Sequence, residues 1–316
     1  MHFDLETFVT GMTSDSATVY RGRFAPSPTG PLHFGSLVAA VGSYLDARSR
    51  GGEWLVRIED LDPPREIPGA ASMILQTLEN FELYWDGSVL YQSQRNAAYA
   101  DAIDQLQSRR QLFPCACSRK EIADSAIAGP EGPIYPGTCR QGMDNPRQPH
   151  ALRVRAEDRN LNFSDLLQGY IEQNLARDIG DFVVRRADGI HAYQLAVVVD
   201  DAQQGITHVV RGSDLLLSTT RQIYLQELLG YPTPEYLHLP IVVNSAGEKL
   251  SKQTYAEPLD VQASRKLAAA VLRFLNQPIP ADFSGMTLSE IWSSAAQTWD
   301  PQSLPPTLTG VVPVLA

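Results

Sequence analysis

The fold of this chain is decided by one stretch, Arg21-Gly22-Arg23-Phe24-Ala25-Pro26-Ser27-Pro28-Thr29-Gly30-Pro31-Leu32-His33-Phe34-Gly35-Ser36. A strand-like run over residues 18–24 enters it, and a helical pattern of apolar residues over 37–45 leaves it. A strand, a tight turn and a helix start present backbone N–H groups and the positive helix end to an anion. In a parallel α/β sheet, nucleotide phosphates bind at such a place. The sequence therefore predicts an anion site, with His33 placed to bond a phosphate oxygen; the alternative is an ordinary loop with a capping histidine.

The composition is that of a globular protein with excess negative charge. The chain has 316 residues, of which 43% are hydrophobic and 20% charged, enough for one large domain with appendages. No apolar run approaches 18 residues and residues 1–15 show no signal pattern, so we expect a cytoplasmic protein with no membrane partner. A net charge of −10 argues against non-specific nucleic-acid binding, although a local basic face can still bind RNA. We also expect a monomer.

Acidic residues follow the second predicted strand. Residues 54–58 have the apolar content of a buried strand, and Glu59, Asp60 and Asp62 come directly after it. Ligand-contacting residues usually lie at that end of a parallel sheet. A solvated acidic turn is the alternative. Helical periodicity then follows over 71–83 and 95–112.

The second half of the chain continues the alternation of strands and helices. Predicted strands cover 151–155, 178–185, 206–210 and 240–243. Predicted helices cover 218–229, 261–276 and 287–298. The apolar run 193–199, helical or strand-like, is followed by two carboxylates, Asp200 and Asp201. A turn at 244–247 leads into the run Glu248-Lys249-Leu250-Ser251-Lys252.

A cysteine cluster lies in a segment that lacks its own apolar core. Residues 113–150 are rich in Pro and Gly, and all three cysteines of the chain, Cys115, Cys117 and Cys139, fall within them. Three clustered thiols in a chain without a secretion signal are more typical of metal or thiol chemistry than of disulfides. The spacing predicts a structural zinc site, whose fourth ligand would be Cys, His or a carboxylate; His150 is the nearest histidine. Three unrelated buried thiols are the alternative.

Three motifs together resemble a known family. The run R-F-A-P-S-P-T-G before H-x-G at residues 23–35, the run R-I-E-D-L-D at 57–62 and the run E-K-L-S-K at 248–252 occur in the order and spacing of class I aminoacyl-tRNA synthetases of the glutamate branch. The resemblance covers about residues 18–260. It implies an α/β fold with a Rossmann-like parallel-sheet catalytic domain. It also implies a reaction in which glutamate and ATP form an adenylate.

The resemblance assigns roles to individual residues of this sequence. The catalytic residues it implies are His33, Lys249 and Lys252. The ATP-binding residues it implies are Pro26, His33, Gly35, Ser36 and Lys252, with Mg²⁺ accompanying ATP. The glutamate-binding residues it implies are Arg23, Ala25, Ser27, Glu59, Tyr193 and Arg211. Two arginine forks suit two carboxylates, and a glutamate side chain suits the substrate ammonium.

The sequence also departs from the general class I pattern. Ser36 replaces the second histidine of the first motif. The E-K-L-S-K run at 248–252, called the lysine loop below, has Leu250 where the family pattern has Met. Only 64 residues follow Lys252, too few for the long helical anticodon-binding region of glutamyl-tRNA synthetases. This shortness, with a Cys-x-Cys…Tyr-x-x-x-Cys pattern, resembles the glutamyl-Q tRNA(Asp) synthetases. That likeness implies Tyr135 as the fourth zinc ligand.

The likeness to that family also implies an organisation and a function. We expect a first half of the catalytic domain at 16–112, a zinc-stapled insertion at 113–150, a second half at 151–255 and a short helical tail at 256–316. The implied function is ATP-dependent activation of L-glutamate without tRNA, followed by transfer to the queuosine base in the anticodon of tRNA(Asp).

Three other functions remain open from the sequence. A compact glutamyl-tRNA synthetase would charge the 3′ end of tRNA(Glu), which requires the anticodon to be read by some part of the chain. A small-molecule adenylating enzyme would need no RNA, and the negative net charge mildly favours it. A non-catalytic RNA-binding relative would have lost ATP-site residues, yet His33, Lys249 and Lys252 are all present.

Overall fold

The fold is described from a computed structural model, which covers residues 19–130, 132–143, 149–244, 247, 249 and 258–311. Within those residues the α-helices are Phe34–Ser49 (α1), Ala70–Asn80 (α2), Asn96–Ser108 (α3), Arg119–Ser125 (α4), Tyr193–Gln203 (α5), Ser218–Leu229 (α6), Ser264–Phe274 (α7) and Leu288–Gln297 (α8). None of these helices is long and apolar enough to cross a bilayer.

The strands alternate with the helices through most of the described chain. They are Arg21–Phe24 (β1), Glu53–Ile58 (β2), Leu90–Tyr91 (β3), Leu112–Cys115 (β4), Ile127–Gly129 (β5), Gly132–Ile134 (β6), Ala151–Val154 (β7), Asn160–Asp165 (β8), Gly169–Asn174 (β9), Val183–Arg185 (β10), His208–Gly212 (β11), Glu235–Leu239 (β12), Ile241–Val243 (β13) and Thr309–Val311 (β14).

The parallel strands are arranged on both sides of β1. On one side β1 pairs with β2 and β2 with β3; on the other side β11 lies beside β1 and pairs with β12. The amide of Thr207 donates to the carbonyl of Arg21 over 3.0 Å, which joins the starts of β1 and β11. The boundary between β1 and β11 is therefore the point where strand order reverses, and ligands of open α/β sheets bind beyond the carboxyl ends of the strands there.

Antiparallel strands are added around this parallel centre. The hairpin β8–β9 attaches to β12 through the pair Tyr236 and Asp165. Strand β7 lies between β4 and β10, and β5–β6 form a short separate hairpin. The cysteines lie on and beyond β4, so the pairing of β4 with β7 ties the segment that carries them to the rest of the fold.

Two large apolar clusters hold the layers together. One contains the inner face of α1, with Leu37, Val41 and Leu45 fully buried, and extends into α7 and α8 at the end of the chain. The other joins α3, α5 and α6 around β7 and β11. The last strand, β14, pairs in parallel with β13, so residues near the end of the described chain support the strand that leads into the lysine loop.

The structure confirms the α/β class with a parallel sheet and most of the predicted elements. Helix α6 has the predicted bounds because Gly230, at φ 74°, takes the left-handed conformation that ends it. The prediction of a strand over 178–185 is wrong at its start. Residues 175–179 form a π-helical turn, because the side chain of Asn174 accepts from two of its amides, and only residues 183–185 form a strand. The predicted helix over 95–112 ends at Ser108, and Leu112 begins β4.

Candidate active site and metal centre

The loops after β1, β2 and β11 meet at the switch point of the sheet. The amide of Glu59 donates to the carbonyl of Pro26 over 3.0 Å, which links the residues that follow β1 to those that follow β2. Beyond β11 the chain turns through Ser213 and Asp214. Side chains from segments far apart in the sequence therefore face one region.

A cavity of about 510 Å³ opens at the start of α1. Its lining includes Pro26, His33, Gly35, Ser36 and Lys249, all predicted from the sequence to bind ATP or to act in catalysis. His33 caps the helix, since its Nδ1 accepts from the amide of Ser36 over 3.3 Å. A Cβ on Gly35 would lie 3.2 Å from the His33 ring, so glycine lets the backbone pass close to the histidine. This end of α1 can receive an anion.

The lysine loop reaches the same cavity through Lys249. Its Nζ lies 2.6 Å from Oδ2 of Asp214, and the residue pairs with Val243 in an isolated antiparallel bridge. Lys249 is 44% and Asp214 35% exposed at the side chain, so solvent reaches both groups. Lys252, which the sequence also predicts as catalytic, lies outside the described residues.

Arg23 belongs to a buried cluster of charges. Its Nε and Nη2 lie 3.1 and 3.4 Å from the two oxygens of Asp201. Arg57 donates to the same carboxylate over 2.7 Å and approaches Oε1 of Glu59 at 3.3 Å. Arg23, Arg57 and Asp201 are each 5% exposed or less. Two guanidinium groups and two carboxylates thus balance each other in the interior, which is how buried charges are accommodated.

The two carboxyl groups of this cluster respond differently to burial. Burial opposes the charge on Asp201, yet Arg23 and Arg57 outweigh it and hold the pKa of Asp201 below its usual range. At Glu59 burial has a larger effect than the attraction of Arg57 and Arg23, so the pKa of Glu59 is raised. A cation brought next to Glu59 would therefore favour its charged form.

A second cavity, of about 310 Å³, adjoins the first and shares Ser27 and Thr29 with it. Glu59 and Tyr193 line this second cavity, and Ala25 is half-buried nearby in the loop that follows β1. Burial and the charge of Glu59 raise the pKa of Tyr193 to about 12, so its hydroxyl keeps its proton at neutral pH. The hydroxyl can donate a hydrogen bond to a bound anion.

Arg211 lies on β11, within electrostatic reach of Tyr193. It is 6% exposed. Its Nε donates to Nε2 of His238 over 3.0 Å, and its Nη2 donates to the hydroxyl of Thr219 over 2.8 Å. Among the described residues, its buried Nη1 has no hydrogen-bond partner. An unsatisfied buried donor on a cation is costly unless a ligand completes it.

The three cysteines converge on one point. The sulfurs of Cys115, Cys117 and Cys139 all lie within 4.8 Å of one another, with 3.5 Å between Cys117 and Cys139. The hydroxyl of Tyr135 lies 3.4 Å from the sulfur of Cys115 and 3.5 Å from that of Cys117. In a tetrahedral zinc site with Zn–S near 2.3 Å, neighbouring ligand atoms are about 3.5–3.8 Å apart.

The donor set therefore fits a structural zinc ion, with Tyr135 as the nearest group for the fourth place. Burial raises the pKa of the Cys117 thiol to about 11, so a metal would have to displace its proton. His150, the alternative fourth ligand, does not join the cysteines in any cluster of metal-type side chains among the described residues.

Sequence patterns assigned no role to three residues that organise the site. Arg57 appeared within a motif and Asp201 at the end of an apolar run, but nothing local showed that they bond each other across 144 residues. Asp214, the partner of Lys249, comes three residues after Arg211 in the sequence, and no pattern there indicated a role for it. The two carboxylates after the apolar run were visible in the sequence, but nothing there showed which cations Asp201 binds.

Comparison with known proteins agrees with this geometry. Residues 19–277 match the family of class I tRNA synthetases (E and Q), catalytic domain. A protein of Dechloromonas aromatica named glutamyl-Q tRNA(Asp) synthetase is 58% identical over 288 residues, 90% of this chain and 96% of that protein. A protein of the same name from Aromatoleum aromaticum is 55% identical over 302 residues, 96% of each chain.

Solved structures show the same fold at lower identity. A glutamate tRNA ligase from Elizabethkingia meningosepticum, in complex with its amino acid, superposes with a TM-score of 0.76 at 24% identity and covers 93% of this chain and 67% of its own. The glutamate-tRNA synthetase of Elizabethkingia anophelis gives 0.78 at 23% identity, covering 94% and 68%. The match of motifs, fold and sequence along nearly the whole length leaves one conclusion: the chain is a ligase that belongs to the glutamyl-Q tRNA(Asp) synthetases, within the class I tRNA synthetases of the E and Q type.

Proposed function

We propose that this enzyme activates L-glutamate with ATP in the absence of tRNA and transfers it to the queuosine base in the anticodon of tRNA(Asp). One observation supports it most directly. A cavity at the positive end of α1 adjoins a second cavity bordered by Glu59 and Tyr193, with the buried arginines Arg23 and Arg211 in electrostatic reach of that tyrosine. An anion-binding helix end beside paired arginines suits ATP and an acidic amino acid together.

In the proposed glutamate site, the two arginines bind the two carboxylates. Arg23 offers the nitrogen that Asp201 does not engage, and Arg211 offers its unpartnered Nη1. Glu59 receives the substrate ammonium, and the hydroxyl of Tyr193 donates to a carboxylate oxygen. Ser27 lines both cavities, and we assign Ala25, two residues before it in the loop that follows β1, to the same glutamate site.

In the proposed ATP site, the phosphates lie at the start of α1, near Pro26, Gly35 and Ser36. His33 and Lys249 stabilise the charge that moves to the departing pyrophosphate, and Lys252 does the same from the lysine loop. Mg²⁺ bound with ATP neutralises phosphate charge. The glutamate carboxylate attacks the α-phosphorus, the bond to pyrophosphate breaks, and glutamyl-adenylate remains in the site.

In the proposed transfer step, a hydroxyl of the queuosine cyclopentene ring attacks the acyl carbon of glutamyl-adenylate. The ester bond forms, the bond to AMP breaks, and the hydroxyl loses its proton. Cys115, Cys117, Cys139 and Tyr135 hold a structural zinc ion in the segment 113–150, which we propose as an insertion between catalytic halves at 16–112 and 151–255, with 256–316 as a tail.

The decisive experiment measures glutamate attachment with ATP and purified tRNA(Asp), with and without queuosine, beside tRNA(Glu). Incorporation only into queuosine-containing tRNA(Asp) is the expected result. Charging of tRNA(Glu) instead would identify a compact glutamyl-tRNA synthetase. Glutamate-dependent pyrophosphate exchange with no tRNA product would support the small-molecule adenylating alternative and overturn the proposed acceptor.

A further inference from the structure

A chain of buried hydrogen bonds lies behind Arg211. Oδ2 of Asp165 is 2.6 Å from Nδ1 of His238, and Nε2 of His238 is 3.0 Å from Nε of Arg211. The side chains of Asp165 and His238 are fully buried. The three residues come from β8, β12 and β11, and Arg211 lies directly opposite His238 in the register of the two parallel strands.

The direction of each hydrogen bond follows from chemistry. The guanidinium Nε always carries a hydrogen, so Nε2 of His238 must accept from Arg211. The remaining ring proton then lies on Nδ1 and is donated to Asp165. Burial, with the nearby charge of Arg211, lowers the pKa of His238 to about 4 despite Asp165, which agrees with a neutral ring of fixed tautomer.

Asp165 is itself held firmly. Its Oδ1 accepts from the amides of Leu167 and Gln168 over 3.0 and 2.8 Å, at the turn that connects β8 to β9. These bonds and the one from His238 outweigh burial and keep the pKa of Asp165 low. The chain of bonds therefore runs from a rigid backbone turn, through a charged carboxylate and a neutral imidazole, to one edge of the guanidinium.

We propose that Asp165 and His238 are positioning residues that fix the rotation of Arg211, so that its Nη1 is directed at a carboxylate of the substrate. This inference rests on the proposed role of Arg211 in glutamate binding. The bonds to His238 and to Thr219 occupy Nε and Nη2, while Nη1 stays buried and unpartnered within the described structure. A preoriented donor needs no reordering when the substrate binds, which improves affinity.

Two substitutions of His238 separate positioning from packing. The amide of glutamine reaches the place of Nε2 and can accept from Arg211, whereas the amide of asparagine reaches only the place of Nδ1. In pyrophosphate exchange, His238→Asn should raise the KM for glutamate by about tenfold to hundredfold, the range expected for a lost hydrogen bond to a charged group. His238→Gln should stay close to wild type, and the KM for ATP should change in neither variant.

A second pair of variants covers the possibility that changes at His238 prevent folding. Thr219 and Thr220 are neighbours on α6 and are both fully buried, but only Thr219 bonds Arg211, while Thr220 bonds Gln173 over 2.7 Å. Thr219→Val should raise the KM for glutamate alone, and Thr220→Val should leave it unchanged. The inference is overturned if the two variants of each pair have the same KM for glutamate. It is also overturned if the KM values for glutamate and ATP rise together.

These outcomes are distinct from failure of the proposed function. If the wild-type enzyme shows no glutamate-dependent exchange, the proposed function is wrong and the inference loses its basis with it. If the wild type is active but Arg211→Lys keeps its KM for glutamate, the activity stands and the positioning role of Asp165 and His238 is wrong.

Discussion

The carboxylate of Asp201 lies against the guanidinium of Arg23, with 3.1 Å between Oδ1 and Nε and 3.4 Å between Oδ2 and Nη2. The same Oδ1 accepts from Nη1 of Arg57 over 2.7 Å. Asp201 lies in the last turn of α5, and the two arginines lie on β1 and β2. One carboxylate therefore fixes two cations of neighbouring strands beneath the proposed glutamate site.

Asp201→Asn should destabilise the protein and weaken glutamate binding. It leaves Arg23 and Arg57 buried with only part of their counter-charge, and breaking a buried ion pair costs about 3–5 kcal/mol. Urea unfolding measures the loss. Asp158→Asn is the control, because Asp158 pairs with Arg177 at the surface, where solvent screens the interaction and the pair contributes little to stability.

The stability difference between wild type and Asp201→Asn should depend on pH. Arg23 and Arg57 hold the pKa of Asp201 below its usual range, so the stabilisation is present above the ordinary carboxyl pKa and is lost as the pH falls through the folded-state pKa. Wild type and variant should converge in stability at low pH. Equal stability losses in Asp201→Asn and the control at neutral pH would contradict this account of the cluster.

Lys249→Ala should slow adenylate formation by about a hundredfold or more, because a preorganised positive charge that stabilises the departing phosphates contributes that much to the rate. The fold should be little affected, because the pair with Asp214 is half exposed. Pyrophosphate exchange measures the rate of adenylate formation, and thermal unfolding measures the stability. Lys266→Ala, on the exposed face of α7, is the matched control; equal rates in the two variants would remove Lys249 from the mechanism.

Cys117→Ser should lose bound zinc, as measured by metal analysis of the purified protein. Tyr135→Phe should retain the three sulfurs and bind zinc more weakly, because it lacks the oxygen at 3.4 Å from Cys115. Tyr170→Phe, at an exposed tyrosine, is its control. Unchanged metal content in Cys117→Ser would exclude the site, and unchanged affinity in Tyr135→Phe would exclude the tyrosine alone.

The sequence predicted what local signals determine. The turn before α1 was predictable because strand, turn and helix cap follow one another within sixteen residues, and α6 because a glycine ends it. The hairpin β8–β9 was missed although Leu161 and Phe163 alternate with polar residues in β8, since β9 lacks that alternation and its Tyr170 is exposed. Its pairing with β12 depends on contacts that are distant in the chain.

The same distinction applies to the site. The sequence predicted residues such as His33 and Glu59 because they lie within or beside contiguous motifs. It gave no indication of Asp165 and His238, which are 73 residues apart and act only through their contact with each other and with Arg211. Partner residues of this kind need the tertiary structure, because their identity carries no local pattern.

Glutamate binding should weaken as the pH falls, and Glu59 should set the transition. Burial raises the pKa of Glu59, so it takes up a proton at a higher pH than an ordinary glutamate, and the protonated form cannot pair with the substrate ammonium. The KM for glutamate in pyrophosphate exchange, measured between about pH 8 and pH 5, should rise while the KM for ATP stays level.

Glu59→Gln separates this carboxyl group from the rest of the protein. The variant should bind glutamate weakly at every pH and lose the pH-dependent rise, because glutamine does not titrate. Glu53→Gln, at the start of the strand that precedes Glu59 and paired with Arg21 at the surface, should keep the wild-type profile. If the rise persists in Glu59→Gln, another group controls it, and Glu59 is not the partner of the ammonium.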